Sequence, residues 1–176
     1  MEINFENNYE ITFLRYYDWI KNPITERSKR IIKTNQIARI AGLSCGILLI
    51  IIAIIARQLP YLAIGLIYSA YCVYALIFKT RKMAAAQYGA MLRRNKVSKW
   101  IRNIRFFDDS FTIRDNNSTI DYKYSDLCDF TENDEYYHLW VDDSFVVRVL
   151  KDGFVKGDKS AFKSFILKNF KIPEKV

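Results

Sequence analysis

Residues 40–56 read IAGLSCGILLIIIAIIA and residues 61–78 read YLAIGLIYSAYCVYALIF, and neither stretch carries a charged side chain. Only Arg57, Gln58, Leu59 and Pro60 separate them. A helix of about 18–20 apolar residues matches the roughly 30 Å of a bilayer's hydrocarbon core. The first stretch starts too far along the chain, and is followed too soon by the second, for a cleaved signal peptide. The pattern therefore predicts a transmembrane hairpin: a first span over 37–56, a loop over 57–60 and a second span over 61–79.

Charges on either side set its expected orientation. Lys21, Arg27, Lys29, Arg30, Lys33 and Arg39 precede the first span, and Lys79, Arg81, Lys82 and a further basic run follow the second, whereas the loop holds only Arg57. By the positive-inside rule both termini face the cytoplasm. Lys29, Arg30, Lys33, Arg39, Lys79, Arg81 and Lys82 are expected to meet anionic lipid, each gaining about 1 kcal/mol there. The net charge of +8 raises the question of nucleic acid. Residues 1–105 hold 17 basic and 5 acidic side chains, net +12, whereas residues 106–176 hold 10 and 14, net −4. The excess belongs to the segments flanking the membrane, and no nucleic-acid partner is expected.

Within the spans, Gly42 and Gly46 form a GxxxG pair, and Gly65 with Ser69 forms a second pair of small residues at the same spacing. Such residues let helix backbones approach closely. They serve either the two helices of one hairpin or a homodimer of two copies. Tyr61 and Tyr74 suit interfacial depth, while Tyr68 and Tyr71 are expected to pack against the neighbouring helix. With no Asp, Glu, Lys or Arg in the stretches 40–56 and 61–78, an ion-conducting role for this chain alone is not expected.

Outside the spans, Ile3 and Phe5 alternate with polar residues as in a strand. Asn7 and Asn8 offer an N-cap to a helix carrying Ile11, Leu14, Tyr17 and Ile20. Asn22-Pro23 ends that helix, and a basic helix around 26–36 leads to the membrane. Residues 80–104 read as a connecting helix, the helical pattern running to about Ile101. The domain over 105–176 then alternates strand by strand, through Phe111 and Ile113, Ile120 and Tyr122, Tyr137 and Leu139, and Val147 and Val149. Turn-rich breaks, such as Asp115-Asn116-Asn117-Ser118 and Asp142-Asp143-Ser144, separate the strands. Gly157-Asp158 then caps a helix with an apolar stripe of Ala161, Phe162, Phe165, Ile166 and Phe170, and with Lys159, Lys163, Lys168 and Lys171 outward. Because Ile3–Phe5 has no local partner, residues 1–36 are expected to join this domain, the strand supplying an edge. The fold class is α+β: a two-helix membrane hairpin plus a small antiparallel sheet with a C-terminal helix on it.

The turn Tyr124-Ser125-Asp126-Leu127, the strand Tyr136-Tyr137-His138-Leu139, then Phe145-Val146-Val147, Lys151 and Phe154 closed by Gly157-Asp158 and Phe162, together resemble the YcxB-like family of bacterial membrane proteins. Leu150 departs from the Pro of that family's pattern. The resemblance spans nearly the whole chain and implies a pleckstrin-homology-like (PH-like) split barrel and a place in the bacterial cytoplasmic membrane. It carries no catalytic or ligand residues with it.

The residues themselves offer little chemistry. His138 has no Ser, Cys or Asp partner at a known motif spacing and is expected to face solvent or to be locally hydrogen-bonded, not to be catalytic. Asp129, Glu132, Asp134, Glu135, Asp142 and Asp143 lack the loop spacing of a calcium site. Three Cys without a CxxC pair exclude a zinc ribbon, Cys45 and Cys72 behaving as small hydrophobes and Cys128 as a strand residue. No catalytic, cofactor or metal site is expected. The function expected is that of a non-enzymatic, membrane-anchored interaction module with a protein partner. An immunity protein against a membrane-active toxin is the first alternative, and a lipid head-group sensor the second, by fold analogy only.

Overall fold

A computed structural model of the chain describes residues 2–142 and 145–170. Asp143, Ser144 and Lys171 lie outside the described residues. The chain divides into two compact units, one of residues 1–15 with 89–176, the other of residues 16–88.

The second unit holds the apolar hairpin. Helix α1 (Phe13–Lys21) contributes its latter half to this unit. Helix α2 (Glu26–Ile55) runs unbroken for 30 residues, so the basic helix expected over 26–36 and the first span are one element. No Pro lies within it to remove a backbone hydrogen bond. Arg57, at φ 55°, turns the chain, its amide donating to Ile54 O and that of Gln58 to Ala53 O. Helix α3 (Leu59–Ile77) begins two residues before the expected span, because Pro60 occupies a first-turn position where its missing N–H costs nothing. Helix α4 (Lys79–Asn95) follows at once.

The first unit is built on two antiparallel sheets. Strands β1 (Phe5–Glu10), β2 (Ile101–Phe106), β3 (Ser110–Asp115), β4 (Ser118–Lys123) and β8 (Phe154–Lys156) form a five-stranded sheet in the order β4-β3-β2-β1-β8. Strands β5 (Asp129–Glu132), β6 (Tyr136–Trp140) and β7 (Val146–Leu150) form the other, in sequential order. A single 3₁₀ turn at Tyr124–Asp126 joins β4 to β5, and helix α5 (Lys159–Asn169) closes the unit.

Strand β1 does not form an edge: it lies between β2 and β8, with Phe5 opposite Phe106 and Glu10 opposite Ile101. This corrects the assignment of Asn7 and Asn8 to a helix cap. Both lie in the strand, where two neighbouring strands satisfy its backbone groups, a gain that outweighs the local capping preference of Asn. The cap of α1 is Thr12 instead, whose Oγ1 accepts from the Arg15 amide at 3.3 Å. Residues 80–104 are likewise not one helix. After α4 ends, Ile101 begins β2, where Ile104 and Phe106 point into the core and Arg102 forms a two-bond pair with Asp115 at 2.7 and 2.5 Å.

Beyond its ladder bonds, β1 also ties the two sheets together. Asn7 is buried and donates its side-chain amide to Leu150 O at 2.7 Å, and Tyr9 donates its hydroxyl to Arg148 O at 2.6 Å. Both acceptors belong to β7 of the other sheet. The core between the sheets is aromatic, centred on the fully buried Phe162 of α5, whose ring meets those of Phe5, Phe106, Tyr137 and Phe154. Helix α5 starts as expected, Asp158 accepting from the Ser160 amide at 2.9 Å. Of its expected stripe, Phe162, Ile166 and Phe170 are buried and Phe165 half-buried, while Ala161 is exposed.

Candidate functional site

Small side chains on α2 and α3 meet each other. Gly46 and Gly65 are buried, as are Ala53, Cys72 and Ala75. A Cβ at Gly46 would lie 2.5 Å from Ser69 Oγ, and one at Gly65 would lie 2.7 Å from Ile50 Cγ1 and 3.3 Å from Gly46 O. At Gly42 it would meet the Tyr68 hydroxyl at 3.0 Å and Cys72 Sγ at 3.4 Å. Gly42, Gly46, Gly65 and Ser69 therefore line one seam, which brings the two helices of the hairpin together. Tyr68 reaches that seam with its hydroxyl, beside Gly42, although its ring is partly exposed, whereas Tyr71 is the more exposed of the two.

Outside the seam, the part of α2 from Ile40 onward and most of α3 are apolar and largely uncovered. Only 11% of the most apolar window of α2 and 17% of that of α3 is buried, whereas the core helix of a soluble protein is mostly buried. Ile47, Leu48, Ile51, Ile54, Ile64 and Ile67 all point outward. These helices are long and apolar enough to cross a membrane.

The basic residues form a collar at the end of the hairpin away from Arg57. Arg30 and Lys33 on α2, and Lys79 and Arg81 on α4, are exposed. Lys29 pairs with Glu26 at 2.7 Å, and Lys82 lies over the Tyr74 ring at 5.0 Å. Arg39 is different, being half-buried and donating Nη1 to Ala75 O at 3.0 Å, close to the C-terminal end of α3. A cation there faces the negative end of the helix dipole.

In the sheet unit, β4 forms one end of the larger sheet. It pairs with β3 and with no other described strand, and every one of its residues is exposed or half-buried, Ile120 among the exposed ones. Such an edge presents a row of unpaired backbone groups.

Of the two positions expected for His138, the solvent-facing one is corrected. Both faces of β6 are covered, and His138 is 4% exposed, stacked on Tyr136. Burial first, then the charges of Arg148 and Lys151, lower its pKa to about 4. Alternation alone failed here because a strand covered on both faces has no polar side. Cys128 is also not a strand residue; it is exposed and immediately precedes β5.

Among the described residues, the acidic side chains singled out above do not converge. Glu132 accepts from both Lys151 and Lys163, which hold its carboxyl below the usual range. Glu135 pairs with Arg15 at 3.8 Å, and Asp142 accepts from the Phe145 amide at 2.7 Å. Among the described residues no three His, Cys, Asp or Glu side chains are grouped as metal ligands.

No family model, curated protein or solved structure matches the chain.

Proposed function

We propose that the chain is a two-span protein of the bacterial cytoplasmic membrane, with both termini in the cytoplasm, and that it works as a non-enzymatic docking module. The observation that carries this reading is the contrast on α2 and α3 between small residues in the seam and bulky aliphatic residues left uncovered outside it. In water that surface would be an aggregation hazard; in lipid it is solvated. The basic collar supports the orientation, because it lies at one end of the hairpin and the opposite turn holds only Arg57.

The sheet unit then faces the cytoplasm. Two antiparallel sheets closed by a C-terminal helix accord with a PH-like split barrel of the YcxB-like kind, with the N-terminal strand as an internal member. Its docking element is β4, to which an extended segment of a protein partner adds by main-chain pairing, with Ile120 and Tyr122 reading its side chains.

The test is extraction and topology of the full chain. Alkaline carbonate should leave it in the membrane pellet, and alkaline phosphatase fused at either terminus should be inactive. Phosphatase activity at a terminus, or release into the supernatant, would overturn the reading.

A further inference from the structure

Where α1, α2 and the junction of α3 with α4 come together, a cleft of about 550 Å³ opens within the hairpin unit. Its polar lining consists of two cations, Lys21 and Arg39, the amides Asn35 and Gln36, and the hydroxyl residues Thr80 and Tyr17, with no carboxylate. Ile32, Ile40, Leu76 and Met83 supply apolar wall. A guanidinium has five N–H donors, and Arg39 gives one to Ala75 O, so it is held in place with donors to spare.

We propose that this cleft holds one anionic phospholipid of the cytoplasmic leaflet. Its phosphodiester would lie against Arg39 and Lys21, its glycerol and first acyl carbons against the Leu76 and Met83 walls. Three observations converge on a lipid rather than a soluble phosphate. Cations and apolar wall share one cleft, Arg39 sits at the start of the uncharged part of α2, and the cleft adjoins the uncovered aliphatic surface of both spans. In the bilayer reading, on which this proposal rests, that is head-group depth. The exposed collar residues Arg30 and Lys33 attract the leaflet as a whole; Arg39 and Lys21 would select one molecule.

Native mass spectrometry of the full chain in detergent tests it, with phosphatidylglycerol, phosphatidylcholine and glycerol 3-phosphate as probes. One phosphatidylglycerol should bind per chain about tenfold more tightly than phosphatidylcholine, as two cations facing a net negative head group warrant. Glycerol 3-phosphate should not compete. The preference should vanish in Lys21→Gln with Arg39→Gln and survive in Arg30→Gln with Lys33→Gln. Asn35→Trp keeps both cations but fills the cleft, and should also abolish it. Equal binding of the two lipids, competition by glycerol 3-phosphate, persistence in the cleft variants or equal loss in the collar variant would each overturn the site. Retention in the carbonate pellet with no lipid preference would sink this site alone, whereas release into the supernatant would sink the membrane reading with it.

Discussion

The Phe5 ring of the first strand meets the Phe162 ring of the last helix edge-on, with centroids 5.4 Å apart and planes at 76°. Edge-to-face pairs contribute about 0.5–1.5 kcal/mol beyond the area they bury. Phe5 also lies 4.8 Å from the Phe165 ring, so its removal opens a hole between β1 and α5. Phe5→Ala should cost about 3–5 kcal/mol, and Phe5→Asp more, since it adds an unpaired buried charge. Limited proteolysis of the detergent-solubilised full chain is the measurement, with cleavage in 101–170 as the readout. Unchanged protection in Phe5→Asp would mean that β1 does not complete the sheet.

Gly157 should tolerate no side chain. Its φ is +84°, and a Cβ would lie 2.3 Å from Phe5 Cδ1 and 2.8 Å from Asn4 O. The ring can shift, but the carbonyl belongs to backbone held by the Asn4 amide bond to Phe106 O at 2.9 Å. Gly157→Ala should therefore destabilise by about 2 kcal/mol or more. At Gly153 the tightest neighbours are the Asn7 side-chain atoms at 3.1 Å, and Gly153→Ala should cost less. Denaturant midpoints of the two variants give the comparison, and equal midpoints would contradict it.

The hairpin seam can be read by cross-linking. Because a Cβ at Gly42 would lie 3.4 Å from Cys72 Sγ, Gly42→Cys is placed to form a bridge inside one chain. In a background with Cys45 and Cys128 changed to Ser, mild oxidation should give a monomer lighter by two hydrogen atoms, their electrons passing to the added oxidant. A disulfide-linked dimer as the main product would instead assign the small residues to contact between copies.

His138 makes stability depend on pH. It stays neutral when folded, with its pKa at about 4, whereas the unfolded side chain titrates near 6.5. The unfolded state therefore takes up the proton first as pH falls. Stability is unaffected above about pH 7, declines from 6.5 to 4 and levels off below, a loss of about 3 kcal/mol. The difference in urea midpoint between wild type and His138→Gln, followed over pH 7 to 4, isolates this contribution, since the carboxylates are common to both. A constant difference would show that His138 titrates normally.

The two long apolar helices could be read directly, because charge-free aliphatic runs of that length without an internal break favour a continuous helix. The seam residues were legible too, as small side chains at i, i+4, although only the distances across Gly46 and Gly65 join them within one hairpin. Position β1 was half-legible. Ile3 and Phe5 showed the alternation, but Asn7 and Asn8 disguised its continuation, since their strand role depends on partners about a hundred residues away. Strand β2 was hidden for the same reason, its Arg102, Asn103 and Arg105 reading as the end of a basic helix. The cleft around Arg39 was missed altogether. Its one signal was Asn35, Gln36 and Arg39 at helical spacing just ahead of the uncharged run, a polar stripe whose use depends on how α1 returns to meet it.

The internal place of β1 imposes an order on synthesis. The ribosome makes this strand first, yet β2 begins at Ile101 and β8 ends at Lys156. Both apolar helices leave the tunnel in between. During that interval the nascent chain carries a strand with neither neighbour, and the sheet can close over it only once residues 101–156 have been made. A product truncated before Phe154 would leave β1 with an open side for quality-control proteases to find.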